Sequence, residues 1–155
     1  MRQTKKALHW INNLLRKRHI KSIIFGGFAA KIYGSARELA DIDIAIRGRD
    51  LIKINNEVGK YCVRDLKRYK DKNWDAMVTT INYLGQEIDI ISVEDTKIFD
   101  KSAKKWLPFK PYFNYSSKIN FMGENLLVVR KSELIKYKNK LLRRVDKKDV
   151  EYLLN

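Results

Sequence analysis

"IIFGGFAAKIYGSARELADIDIAI", residues 23–46, decides the fold. Its last six residues, "DIDIAI", alternate polar and apolar from Asp41, the period-2 pattern of a strand whose two faces differ. Aspartate is depleted in strands, so Asp41 and Asp43 in one strand need a reason. Side chains two apart project from the same face, so these carboxylates stand together while Ile42 and Ile44 face the other way. Two carboxylates that close repel each other unless a cation lies between them, and ligation by oxygen alone suits magnesium. Thirteen residues upstream, Gly26-Gly27 ends the apolar run "KSIIF", and "FAAKIY" follows with helix-compatible spacing. A strand, a side-chain-free turn and a helix start let backbone N–H groups approach a phosphate. A third acid, Asp89 in "QEIDIIS", sits in another apolar run that can pair beside the first. Three carboxylates on one site can hold two metal ions for in-line phosphoryl chemistry.

Each feature also has an ordinary reading when taken alone. An Asp-x-Asp strand can be a solvent face, a glycine pair a turn, and a lone aspartate an edge residue. Their order and spacing carry more. Gly26-Gly27, a gap of thirteen residues, Asp41-Ile42-Asp43-Ile44 and then Asp89 resemble the nucleotidyltransferase superfamily with the polymerase-β-like fold. Arg37, four residues before Asp41, is similar to the arginine of the branch holding antibiotic and toxin–antitoxin nucleotidyltransferases. The tail "YKNKLLRRVDKKDVEYLL" resembles that branch's ending through Lys138, Arg143 or Arg144, Asp146 and Asp149, with Val145 where a lysine is expected.

The resemblance implies an α/β fold, mixed α+β, with a mixed sheet flanked by helices over residues 1–155 as one nucleotidyltransferase-like domain. It implies transfer of a nucleoside monophosphate from an NTP, ATP among the candidates, to an acceptor hydroxyl with release of pyrophosphate. Asp41 and Asp43 would bind Mg2+, with two ions possible, and Asp89 would complete the metal site or accept the hydroxyl proton. Gly26 and Gly27 would cradle phosphates, and Arg37 and Lys138 would neutralise them. For Arg37 a salt bridge to Glu38 or another surface acid is the competing expectation, and Asp146 and Asp149 read as cap and surface residues of a closing helix.

Elsewhere the periodicity predicts a helix over residues 4–18, a strand over "KSIIF" and a helix over "RDLIKINNEVGKYC". Hairpins are expected around Gly85-Gln86 and Gly123-Glu124, and two closing helices with Ser132 or Asp146 as N-caps. "KSAKKWLPFKPYFNYSSK", which holds both prolines, reads as an irregular connection. Its aromatic residues Trp106, Phe109, Tyr112, Phe113 and Tyr115 lie among lysines. They suit either base stacking or packing on the core.

The net charge is +15 over 155 residues, and it is unevenly spread. Residues 1–20 carry six Lys/Arg and no acid, residues 101–118 five and no acid, and residues 130–148 nine against two acids. Residues 21–100 balance at thirteen each. The excess in the flanks favours a polyanionic partner, with RNA or protein as the acceptor, and solvated helix faces remain the alternative. One cysteine, Cys62, forms no internal disulfide or cysteine metal cluster, and no run is long and apolar enough to span a membrane. A cytoplasmic location is expected. The chain is short for recognising a large acceptor unaided, so a homodimer or a partner protein is a further expectation. Two rival readings are a weakly active or inactive toxin–antitoxin component of the same fold, and a nucleic-acid-binding module that uses the fold as a scaffold.

Overall fold

The computed structural model describes residues 2–155, with side chains from residue 3. The first helix, α1 (Arg2–Lys17), turns Ala7, Leu8, Ile11 and Leu15 inward, and all four are buried. Burying side chains of this size contributes about 1.5–3 kcal/mol each for the larger ones, so docking rather than propensity holds this segment helical. β1 (Ser22–Ile24) runs into α2 (Gly26–Ile32), and β2 (Asp41–Ile46) into α3 (Gly48–Val58). β3 (Cys62–Lys70), β4 (Trp74–Tyr83) and β5 (Gln86–Ser92) follow, then the short β6 (Lys97–Asp100) and β7 (Lys105–Pro108). β8 (Ser116–Phe121) and β9 (Glu124–Val129) form a hairpin before α4 (Lys131–Leu141) and α5 (Arg144–Leu154).

The strands join one mixed sheet in the order β7-β6-β4-β5-β2-β1-β9-β8, with β3 also paired to β4. β2 lies parallel to β5 and β1 parallel to β9, while the other pairings are antiparallel. Ile42, Ile44, Ile88 and Ile90 form the buried side of the central pair. α1 and α3 cover that side: Thr4 of α1 donates to Gln86 on β5, and Gly48 of α3 adjoins Ser92 on the same face. Strand alternation therefore puts Asp41, Asp43 and Asp89 on the opposite face, where α2, α4 and α5 gather. The expected hairpins turn through Leu84-Gly85 and Met122-Gly123, all four at positive φ, as a two-residue turn matched to strand twist requires.

The secondary structure departs from the sequence reading at the end of α3, at β3 and at β7. The helix expected to reach Cys62 ends at Val58, and Cys62 opens β3 instead. β3 escapes periodicity because its register on β4 shifts between Cys62 and Arg64 and again between Arg64 and Lys67, so alternation never sets in. The stretch expected to be irregular contains β7, paired to β6 from Lys97–Pro108 to Asp100–Lys105, with Pro108 at the strand's end where no ladder bond is lost.

Candidate active site

The parallel register of β2 and β5 sets Asp43 directly opposite Asp89, and Asp41 follows two residues away on the same face. Carboxylate oxygens of the three lie within 4.8 Å of one another. Among the described residues this is the only acidic group arranged to hold a metal ion. Asp89 also accepts the Thr80 hydroxyl from β4 at 2.5 Å, which fixes one of its oxygens. Asp43 accepts the Phe28 backbone N–H at 3.4 Å.

Burial and mutual repulsion push Asp41 and Asp43 toward neutrality. Burial first, then the Asp89 charge, raises Asp41 to about 7. Burial, then the charges of Asp41 and Asp89, raises Asp43 well above the usual carboxylate range. Among the described residues no lysine or arginine forms a salt bridge with any of the three. A cluster of hard oxygen donors that repel one another, with no directly paired cation among the described residues, fits a divalent cation such as Mg2+.

The glycine pair is close to these side chains. A Cβ on Gly26 would lie 2.4 Å from Asp43 Oδ2, and Gly26 has φ +66°. A Cβ on Gly27 would lie 2.6 Å from a guanidinium nitrogen of Arg37. Without side chains at these positions, the carboxylate and the guanidinium can both approach the turn. The cleft above them has a volume of about 600 Å³ and includes Gly26, Gly27, Arg37, the three aspartates and Lys138 in its wall.

Arg37 does not pair with Glu38's carboxylate. Its Nε and one terminal nitrogen donate to the two oxygens of Asp149, both at 2.9 Å. Lys138 Nζ reaches Asp149 at 2.9 Å and Asp146 at 3.1 Å, and Arg143 Nε donates to Asp146 at 2.6 Å. Asp146 and Asp149 are thus buried, not surface residues. Burial alone would raise both, but the bonds from Arg143 to Asp146 and from Arg37 to Asp149, with Lys138 beside each, hold them below the usual range. Asp146 is not the N-cap of α5 but sits at its third residue and accepts the backbone N–H of the N-cap, Arg143. Ser132 does not cap α4, whose N-cap is Arg130.

Several cleft residues were not visible in the sequence. Arg64, Tyr69 and Lys70 come from β3, the strand that periodicity missed. Trp74 and Tyr137 join Phe25 and Phe109 in an aromatic cluster beneath the cleft, with Trp74–Phe109 centroids 5.4 Å apart and Phe109–Tyr137 4.9 Å. Phe109 therefore packs into the core, while Tyr112 and Tyr115 of the same segment stay exposed.

No protein-family model matches the sequence, and no curated protein does. Solved structures do. A Thermotoga maritima protein provisionally assigned as a nucleotidyltransferase superposes over 100% of this chain and 94% of its own, with TM-score 0.77 at 15% identity. The chain has the nucleotidyltransferase fold. The lincosamide antibiotic adenylyltransferase LnuA, bound to lincomycin, shares that fold over 97% of this chain and 96% of its own, with TM-score 0.64 and 14% identity. ANT(2″)-Ia in complex with adenylyl-2″-tobramycin does so over 97% and 87%, with TM-score 0.62 and 12% identity. The expected mixed α/β nucleotidyltransferase architecture is thus borne out. Among the described residues no helix is long and apolar enough to cross a membrane.

Proposed function

We propose that this protein is a metal-dependent nucleotidyltransferase that moves a nucleoside monophosphate from an NTP to an acceptor hydroxyl. The observation that carries this reading is the meeting of Asp41, Asp43 and Asp89 within 4.8 Å beside the glycine turn, with no salt bridge to any of them among the described residues. Asp41 and Asp43 would hold Mg2+, joined by Asp89. The ion, when bound, supplies charge neutralisation for the triphosphate and lowers the barrier to attack at phosphorus.

The remaining work falls to the chain. The acceptor oxygen attacks the α-phosphorus, the bond from that phosphorus to the α–β bridging oxygen breaks, and pyrophosphate leaves. The hydroxyl proton passes to a carboxylate; the Thr80 hydroxyl bond, which orients Asp89, supports Asp89 in this role. The side-chain-free Gly26-Gly27 turn lets the Asp43 carboxylate and the Arg37 guanidinium both come up against the backbone, so that a phosphate bound at the turn would meet that guanidinium. Asp149 fixes Arg37, whose partly exposed guanidinium adds positive charge at the wall where the leaving pyrophosphate gathers negative charge, while the expected phosphate contact of Lys138 gives way to a buried position between Asp146 and Asp149 that holds this network together. The fold neighbours named as adenylyltransferases support the donor half of this reaction; they do not carry the acceptor to this chain.

Incubation with each α-³²P-labelled NTP, Mg2+ and total RNA or cell lysate tests the reading. Label transfer by the wild type and its loss in Asp41→Asn/Asp43→Asn is expected. A folded wild type that binds no NTP and transfers no label would sink it.

A further inference from the structure

We propose that the groove between the β7–β8 segment and α4 binds single-stranded RNA and leads its terminal hydroxyl to the aspartate cleft. As the naming of an acceptor, this rests on the transferase reading; as a binding surface it stands alone. Two basic runs far apart in sequence, residues 101–118 and 130–148, come together here. The Lys101 N–H donates to the Lys140 carbonyl at 3.0 Å, and the Arg130 N–H to the Tyr115 carbonyl at 3.1 Å. These bonds fix one run on the other.

The groove between them is lined by Lys110, Tyr112, Tyr115, Lys136 and Lys140. Tyr112 and Tyr115 are 49% and 45% exposed, with ring centroids 5.7 Å apart in an edge arrangement. Arg130 lies over the Tyr115 ring at 5.9 Å. The acid lining the groove, Glu133, is paired with Lys136 at 3.0 Å. With the two rings set edge to face and Arg130 over one of them, the groove offers an exposed tyrosine face on which an unpaired base can stack, with cations beside it for the adjoining phosphates. Duplexes hide their bases and would not use the tyrosines. A protein partner would require acidic side chains at several points and would gain little from two half-exposed rings set among lysines.

The groove also adjoins the cleft. Tyr137 lines both, with Phe109 and Trp74 continuing the wall between them. The groove and the aspartate cleft are thus neighbours that share one buried aromatic wall, which a strand lying on Tyr112 and Tyr115 must pass over to reach Asp89.

The test is fluorescence anisotropy with a 5′-fluorescein single-stranded RNA 20-mer of mixed sequence, beside thermal-shift measurement of Mg·ATP binding on the same proteins. Tyr112→Ala/Tyr115→Ala is expected to weaken RNA binding at least tenfold. Lys136→Ala/Lys140→Ala should lower the slope of log affinity against log salt by about 1.4, two phosphates at about 0.7 each. Both variants keep the wild-type Mg·ATP shift. Wild-type affinity retained in both variants, or heparin or duplex RNA bound as tightly as the single strand, overturns the groove. RNA binding that depends on the tyrosines in a protein without NTP turnover supports the groove and defeats only the transferase reading. Label transfer to RNA unaffected by either variant does the reverse.

Discussion

Asp149 holds Arg37 across 112 residues of sequence, accepting two guanidinium N–H bonds at 2.9 Å while the same carboxylate receives the Lys138 ammonium at 2.9 Å. The acid and the lysine are 0% and 1% exposed. Removing one member of such a buried set leaves charge without compensation, which costs about 3–5 kcal/mol. Asp149→Ala is therefore expected to lower Tm by about 10 °C, at about 2–4 °C per kcal/mol for a chain of this size. Glu133→Ala, which breaks the exposed Glu133–Lys136 pair, should change stability by about 0.5 kcal/mol or less. Thermal unfolding of both variants decides the matter, and equal effects would remove the buried network as a source of stability.

The same network gives a pH dependence with a definite sign. Asp146 and Asp149 lie below their unfolded value of 3.8 because Arg143, Arg37 and Lys138 outweigh the burial that opposes ionisation. A depressed acid stabilises the fold fully above its unfolded value, and the contribution is lost as pH falls from about 4 through the folded values. Urea unfolding between pH 6 and pH 2 should show stability dropping below pH 4 in the wild type. Asp149→Asn should start lower and fall less steeply. Parallel curves for the two proteins would contradict the assignment.

How far the sequence reveals this site varies residue by residue. β2 was legible because one face of "DIDIAI" is apolar throughout, and Asp89 because its strand shares that pattern. β3 was not, since two register shifts erase its period, and with it went Arg64, Tyr69 and Lys70 of the cleft wall. Asp146 and Asp149 looked like the solvated face of a charged helix. Their burial arises only when α5 folds onto α2 and meets Arg37, a contact that no local pattern encodes. Tyr112 and Phe109 lie three residues apart with the same chemistry, and only packing against Trp74 and Tyr137 makes one core and leaves the other exposed.

The crowded carboxylates predict a trade between stability and function. Asp41, Asp43 and Asp89 are held within 4.8 Å of one another, and burial and then the charges of its two neighbours disfavour ionised Asp43, so replacing it with a neutral amide removes that cost. Asp43→Asn is expected to raise the metal-free Tm by about 2–4 °C, the effect of about 1 kcal/mol. Addition of Mg2+ and ATP should raise the wild-type Tm and leave the variant unmoved, and label transfer should fall by about 10³-fold. A metal-free Tm lowered by the substitution would show that Asp43 is structural.

Gly26 separates backbone strain from loss of the site. Alanine there must adopt φ +66°, a left-handed conformation that costs about 1–2 kcal/mol, and its Cβ would meet Asp43 Oδ2 at 2.4 Å. Gly85 supplies the comparison: it has φ +87°, and a Cβ there meets nothing within 4 Å. Both alanine variants therefore carry the conformational cost, but only Gly26→Ala drives against a carboxylate of the proposed metal site. Gly85→Ala should lose about 1–2 kcal/mol in stability with transfer unchanged. Gly26→Ala should lose at least as much and in addition at least tenfold in Mg2+-dependent transfer, because Asp43 must move relative to Asp41 and Asp89. Transfer measured at a temperature well below both melting points reads the second effect apart from the first. Equal activity in the two variants would mean that the glycine turn serves the chain's path and has no part in holding the acids in place.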